Sequence, residues 1–211
     1  MIRAPFVAAA AAVVGMAGVA CAEPTVVFAD GPGSTQGGIF HAATTAHGSF
    51  DTFCVEIGEG LSFGFTYEYT IDTDAKYNGQ DQNFTNPLDA DTAFIYTAFR
   101  QDQIRTLLGK PNMTDEELAN AVQLAVWAIE NAQSTNNADA LSLVQAAADA
   151  IDGGEWSGLG SVRVLNVWDP GHVGDPAHAK QDTLVIVPLP SGAGLAGAGL
   201  LAVGLVSRRR E

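Results

Sequence analysis

Apolar and polar residues alternate in short stretches through the first half of the chain, a pattern that predicts strands. Residues 25–29, 38–45, 50–57 and 62–71 are rich in Val, Phe, Tyr and Thr, with turn residues between them. In a regular strand over 50–57, Phe53, Val55 and Ile57 share one face, and Thr52, Cys54 and Glu56 share the other. The aromatic stretch 63–69 predicts a buried strand, and the Asp-, Asn- and Gln-rich stretch 72–87 predicts a polar loop. The period then changes. Residues 89–108 carry Ala93, Tyr96, Phe99 and Ile104 at near-helical spacing and stop before Gly109 and Pro111. Thr114 opens a stronger helix running to Asn131, because Thr114-Asp115-Glu116-Glu117 is a capping box with acidic residues in the first turn. An Ala-rich helix over 139–151 ends at Gly153-Gly154, and strands over 161–168 and 181–187 flank a loop rich in Pro, Gly and His. Strands, then helices, then strands imply an α+β fold: an antiparallel sheet or sandwich with a helical insertion.

The helix from Thr114 has an aliphatic stripe of Leu118, Ala121, Val122, Ala125, Val126 and Ile129. Gln123 and Trp127 lie off it, roughly 140° and 180° round from Leu118 at 100° per residue, and four residues apart they are neighbours. A large indole there predicts a helix covered on two sides, with Gln123 beside an apolar wall. A buried amide needs partners for its polar atoms or a chemical use.

The two ends read differently. Arg3 precedes an uncharged, Ala- and Val-rich run, and Ala20-Cys21-Ala22 supplies small residues at signal-peptidase spacing. Residues 1–22 are therefore expected to be a signal helix cut after Ala22. The alternative, Cys21 as a lipid-modified N-terminus, lacks the bulky aliphatic residue three places earlier, where Gly18 stands. At the other end, Val187-Pro188-Leu189-Pro190 precedes an uncharged Gly/Ala-rich run and Arg208-Arg209-Arg210. The run is short of the ~20 apolar residues of a stable span, and the arginines would hold the terminus in the cytoplasm. Residues 187–211 resemble the PEP-CTERM sorting tail in its VPLP variant, with Leu189 where the name-giving motif has Glu. The resemblance implies transient anchoring in the inner membrane and processing by an exosortase.

Between the ends, six Lys and Arg stand against 23 Asp and Glu over residues 23–190, a formal charge of −17. Such a surface repels nucleic acid and suits an extracellular matrix. Residues 23–186 are expected to form one extracellular domain. With Cys21 removed, Cys54 is the single thiol, which in an oxidising compartment means a buried inert group, an intermolecular disulfide or a reactive centre.

Phe53-Cys54-Val55-Glu56 on a strand and Gln123-Leu124-Ala125-Val126-Trp127 on a helix resemble the two motifs of bacterial surface-protein thioester domains. The second motif is Gln-x-Ala-x-Trp, and Val122 stands where Gram-positive members usually have Thr. The resemblance implies a thioester between Cys54 and Gln123, formed with loss of ammonia and opened by an amine or hydroxyl of a surface protein or extracellular polysaccharide. Such chemistry needs contact between sulfur and carbonyl carbon, oxyanion donors and exclusion of water. Trp127 is a natural lid, and Phe53 is placed in the same supporting wall. No cofactor and no catalytic turnover are implied. The alternatives are a non-covalent matrix or polysaccharide-binding module with an inert Cys54, and an exopolysaccharide-acting enzyme, for which no carboxylate pair has an indicative spacing. Asp72, Thr73, Asp74, Asn78, Gly79 and Asp81 lack the Gly and bidentate Glu of a calcium loop. His41, His47, His172 and His178 form no pair at tight ligand spacing, so no metal site is expected, though His41 or His172 could serve as a base near the thioester.

Overall fold

The computed structural model describes residues 23–34, 37–77 and 85–187. The expected signal helix with Ala20 and Ala22, and the tail from Pro188 through Arg210, lie outside them. Among the described residues no helix is long and apolar enough to cross a membrane.

The fold is α+β. Six strands form one antiparallel sheet in the order β3-β2-β1-β4-β7-β8: β1 is Thr25–Asp30, β2 Phe40–Thr44, β3 Gly48–Thr52, β4 Thr66–Asp72, β7 Val162–Trp168 and β8 Ala179–Ile186. β5 (Asp74–Lys76) and β6 (Thr85–Pro87) form a small separate hairpin inside the stretch expected to be a loop. The helical insertion comprises α1 (Ala90–Arg100), α2 (Ile104–Leu107), α3 (Asp115–Glu130) and α4 (Ala138–Asp152). The expected helix over 89–108 is broken because the chain reverses at Asp102, whose φ is +55°. The Thr114 box is present: Thr114 Oγ1 accepts from Glu117 N–H at 3.2 Å, and Glu117 Oε2 accepts from Thr114 N–H at 2.9 Å.

The sheet closes on itself. Past the end of β3 the chain crosses to β8, with Val55 N–H donating to Asp182 O at 3.0 Å and Leu184 N–H to Phe53 O at 3.3 Å around a Cys54–Thr183 bridge. Two cores follow. Val26, Phe28, Ala42, Tyr67, Tyr69 and Leu165 fill one side of the curved sheet. Val162, Val164 and Leu184 on the other side pack against Ala93, Tyr96, Val122 and Leu143 of the helices. Cys54 therefore lies on the seam between the first and last strands.

Two strand expectations are corrected, the first by this closure. The strand expected over 50–57 ends at Thr52, and alternation fails after it: Phe53, Cys54, Val55 and Glu56 are all buried because sheet and helices sandwich them, while Ile57 is exposed. The strand expected from residue 62 begins at Thr66, leaving Phe63 and Phe65 exposed.

Candidate functional site

The site is built where α3 meets the seam. Gln123, Trp127 and Asn131 recur at intervals of four, so one stripe of the helix carries all three. Each satisfies a carbonyl of the seam segment. Gln123 Nε2 donates to Cys54 O at 2.9 Å, Trp127 Nε1 to Glu56 O at 3.0 Å and Asn131 Nδ2 to Val55 O at 2.7 Å. Gln181 Nε2 is a second donor to Glu56 O at 3.0 Å. Buried backbone carbonyls turned away from the sheet require such donors.

The carboxamide of Gln123 is also held at its oxygen. Cys54 N–H donates to Oε1 at 3.0 Å, and Gly38 N–H approaches it at 3.4 Å. The backbone of Cys54 thus brackets the amide, and two N–H groups converge on the oxygen that would carry charge if a nucleophile added to Cδ. Gln123 is 2% and Cys54 3% exposed. Burial pushes the Cys54 thiol well above its ordinary value, with nearby Glu56 adding to the rise against the lowering effect of a backbone hydrogen bond.

A glycine-rich loop absent from the sequence-based site covers the pair. Ser34 donates to Asn120 Oδ1 from both N–H (2.8 Å) and Oγ (3.0 Å), pinning the loop onto α3 one turn before Gln123. Gly37 is pressed onto the site so closely that a Cβ there would lie 2.7 Å from both Gln123 Cγ and the Trp127 ring. Gly38, whose N–H reaches the amide oxygen, has φ +140°, a conformation that excludes ordinary side chains. The signal in the sequence was the run Asp30-Gly31-Pro32-Gly33 followed by Gly37-Gly38 between two strands, which reads equally well as a plain turn. On one side of the loop a cleft of about 380 Å³ is lined by Cys54, Gly37, Phe40 and Phe63; on the other, a smaller one is lined by Asn120, Gln123 and Trp127.

Of the residues expected in the wall, Trp127 is 7% exposed, with its ring against Gly37 and its Nε1 on Glu56 O. Phe53 turns toward the helix-side core instead, its ring edge-on to Phe99 with centroids 4.8 Å apart. None of the four histidines lines either cleft. His41 pairs with Asp51 at 2.6 Å, and His172 stacks on His178. Of the acidic loop considered for calcium, Asp72 accepts from Thr73 N–H at 2.7 Å, while Asn78, Gly79 and Asp81 lie outside the described residues.

A buried acidic group also escaped the sequence reading. Glu56 is buried beside Cys54 and is pushed up to about 10, first by burial and then by neighbouring Asp182 and Glu59. Asp182 is raised as well, chiefly by burial, although its carboxylate accepts from Lys76 N–H at 2.8 Å and Val167 N–H at 3.0 Å. The Val167 contact fills the register shift between β7 and β8.

No protein-family model and no curated protein matches this sequence. Among solved structures, the chain is similar to the N-terminal thioester domain of fibronectin-binding protein SfbI from Streptococcus pyogenes, with a TM-score of 0.47 and 10% identity, covering 79% of this chain and 95% of that one. At that distance the likeness carries no assignment, and the site rests on its own geometry.

Proposed function

We propose that the domain stores an acyl electrophile as a thioester between Cys54 and Gln123 and uses it once, for covalent attachment to an amine or hydroxyl on an extracellular partner. The observation that carries this reading is the double grip of Cys54 on the Gln123 carboxamide, with N–H on Oε1 and C=O on Nε2. Addition of Sγ to Cδ forms the C–S bond, and negative charge gathers on Oε1 at the Cys54 and Gly38 N–H groups. Collapse breaks the C–N bond, and the thiol proton leaves with nitrogen as ammonia. A partner amine adding to the same carbon later forms an amide and returns Cys54 as a free thiol. Atoms balance without a cofactor or an oxidant, and the product is a crosslink, so the protein does not turn over. The packing of Gly37 and Trp127 over the amide supports protection from water.

The thiol's raised pKa fits storage better than open reactivity, because a free thiolate would be disfavoured at this depth. A second reading is favoured by the same contacts. Gln123, Trp127 and Asn131 together satisfy the seam's carbonyls, which is a sufficient structural role for Gln123 in a non-covalent matrix module. The strongly acidic domain, the expected signal and the PEP-CTERM-like tail support export of either version, with signal peptidase and an exosortase-type enzyme as its proposed processing partners.

Incubation of the full chain with a fluorescent primary amine separates the two readings. The expected outcome is one label per chain that survives denaturation, maps to Gln123 and is absent from Cys54→Ala. Labelling that is absent in the native protein, or unchanged in Cys54→Ala, overturns the covalent reading.

A further inference from the structure

The loop joining β7 to β8 carries a side-chain cluster unrelated to the seam. Asp169, His172, Asp175 and His178 recur every three residues, and successive backbone bonds enforce that spacing. His172 N–H donates to Asp169 O (3.1 Å), Asp175 N–H to His172 O (2.9 Å) and His178 N–H to Asp175 O (3.0 Å). Asp169 N–H then closes the loop on His178 O at 3.0 Å, and Gly171 N–H is anchored to Glu68 Oε2 of β4 at 2.8 Å. The repeated turns bring ligand atoms of His172, Asp175 and His178 within 4.8 Å of one another. The two imidazoles lie face to face, with centroids 3.6 Å apart. As the histidines stand six positions apart in sequence, their proximity depends on the turns.

We propose that His172, Asp175 and His178 bind a divalent cation of the zinc class in this loop. Two imidazoles and one carboxylate suit zinc and its late first-row neighbours, whereas calcium would need six or more oxygens. Asp169 is the outer partner: its Oδ2, shared with Lys180 Nζ at 2.9 Å, lies 3.2 Å from His178 Nδ1, so a proton on that nitrogen leaves Nε2 as the ligand. His172 Nδ1 and Asp175 Oδ2 are 3.9 Å apart, too far to bond directly. Tetrahedral ligands on zinc sit about 3.4 Å from each other, and because face-to-face rings aim their nitrogens side by side, one imidazole must tilt out of the stack for the set to converge. Three protein ligands leave a position open to water or to a group from outside. The inference is independent of the thioester reading.

Zinc titration of the full chain against a chromophoric chelator tests it, after metal has been stripped. One zinc per chain is expected. His172→Ala and His178→Ala each weaken binding at least about tenfold, and Asp169→Asn weakens it by about 10–100-fold. His41→Ala and Cys54→Ala leave it unchanged. Zinc should also shift the ring resonances of His172 and His178 in the wild-type protein while sparing His41 and His47, a readout that needs no variant to fold. No uptake at near-millimolar zinc, uptake undiminished in the doubly substituted His172→Ala/His178→Ala chain, or shifts at His41 and His47 instead would overturn the site.

Discussion

Trp127→Ala is expected to destabilise the domain by about 3–5 kcal/mol, the usual range for deleting a buried aromatic side chain. The indole is almost wholly buried, touches the loop at Gly37 and donates from Nε1 to Glu56 O. Its removal leaves a cavity over Gln123, and Glu56 O keeps only Gln181 as a donor. Trp127→Phe keeps an aromatic ring there without the hydrogen bond, and because Gln181 still serves Glu56 O it should lose only about 0.5–1.5 kcal/mol, the net worth of one hydrogen bond. Urea denaturation of the three proteins gives both values. On the covalent reading, water also gains access, so the alanine variant should accumulate Glu at position 123 by hydrolysis. A Trp127→Ala midpoint within experimental scatter of wild type would show that the indole does not seal the site.

Stability is expected to fall as pH rises from about 5 to 8. Glu56 has an ordinary value of 4.5 and is pushed to about 10 in the fold, mainly by burial, then by Asp182 and Glu59. Between those limits the unfolded chain has released a proton that the native chain still holds. Each pH unit in that window therefore lowers stability, with Glu56 alone responsible for a difference of up to one bound proton between the two states. Glu130, raised to about 7 chiefly by burial, and Asp182, also raised by burial, act in the same direction. Glu117 and Asp72, both lowered, change protonation only below this window, as pH falls through their ordinary carboxyl range, so they leave the slope between pH 5 and 8 untouched. The net negative charge of the domain reinforces the trend, since acid relieves self-repulsion. Glu56→Gln should raise the melting temperature at pH 8 and flatten its pH dependence. A wild-type melting temperature that climbs between pH 5 and 8, or a Glu56→Gln protein less stable than wild type at pH 8, would contradict this.

The helical part was legible because its signals are local. Thr114 and Glu117 form the reciprocal box that their spacing implies, and Trp127 and Gln123 standing off the aliphatic stripe implied a second covered face, which is the one meeting the seam. The strands were less legible because closure of the sheet is a long-range event. Period-two alternation presumes that one face is covered, but residues 53–56 are covered on both, so Cys54 and Glu56 are buried alongside Phe53 and Val55. Phe53 was misplaced for that reason, its ring committed to Phe99. The Gly37-Gly38 contact was invisible because a glycine's value at a site is the absence of a side chain, which only the opposing atoms reveal. The buried acids depend on contacts across more than a hundred residues, such as Lys76 with Asp182.

A covalent bond between Cys54 and Gln123, as proposed, is read out by the intact mass of the native protein. The wild-type chain is expected to be lighter than its sequence by one ammonia, and the Cys54→Ala and Gln123→Ala chains to have their full masses. A wild-type chain at full mass, with a Cys54 thiol that alkylates completely once the protein is denatured, would contradict it.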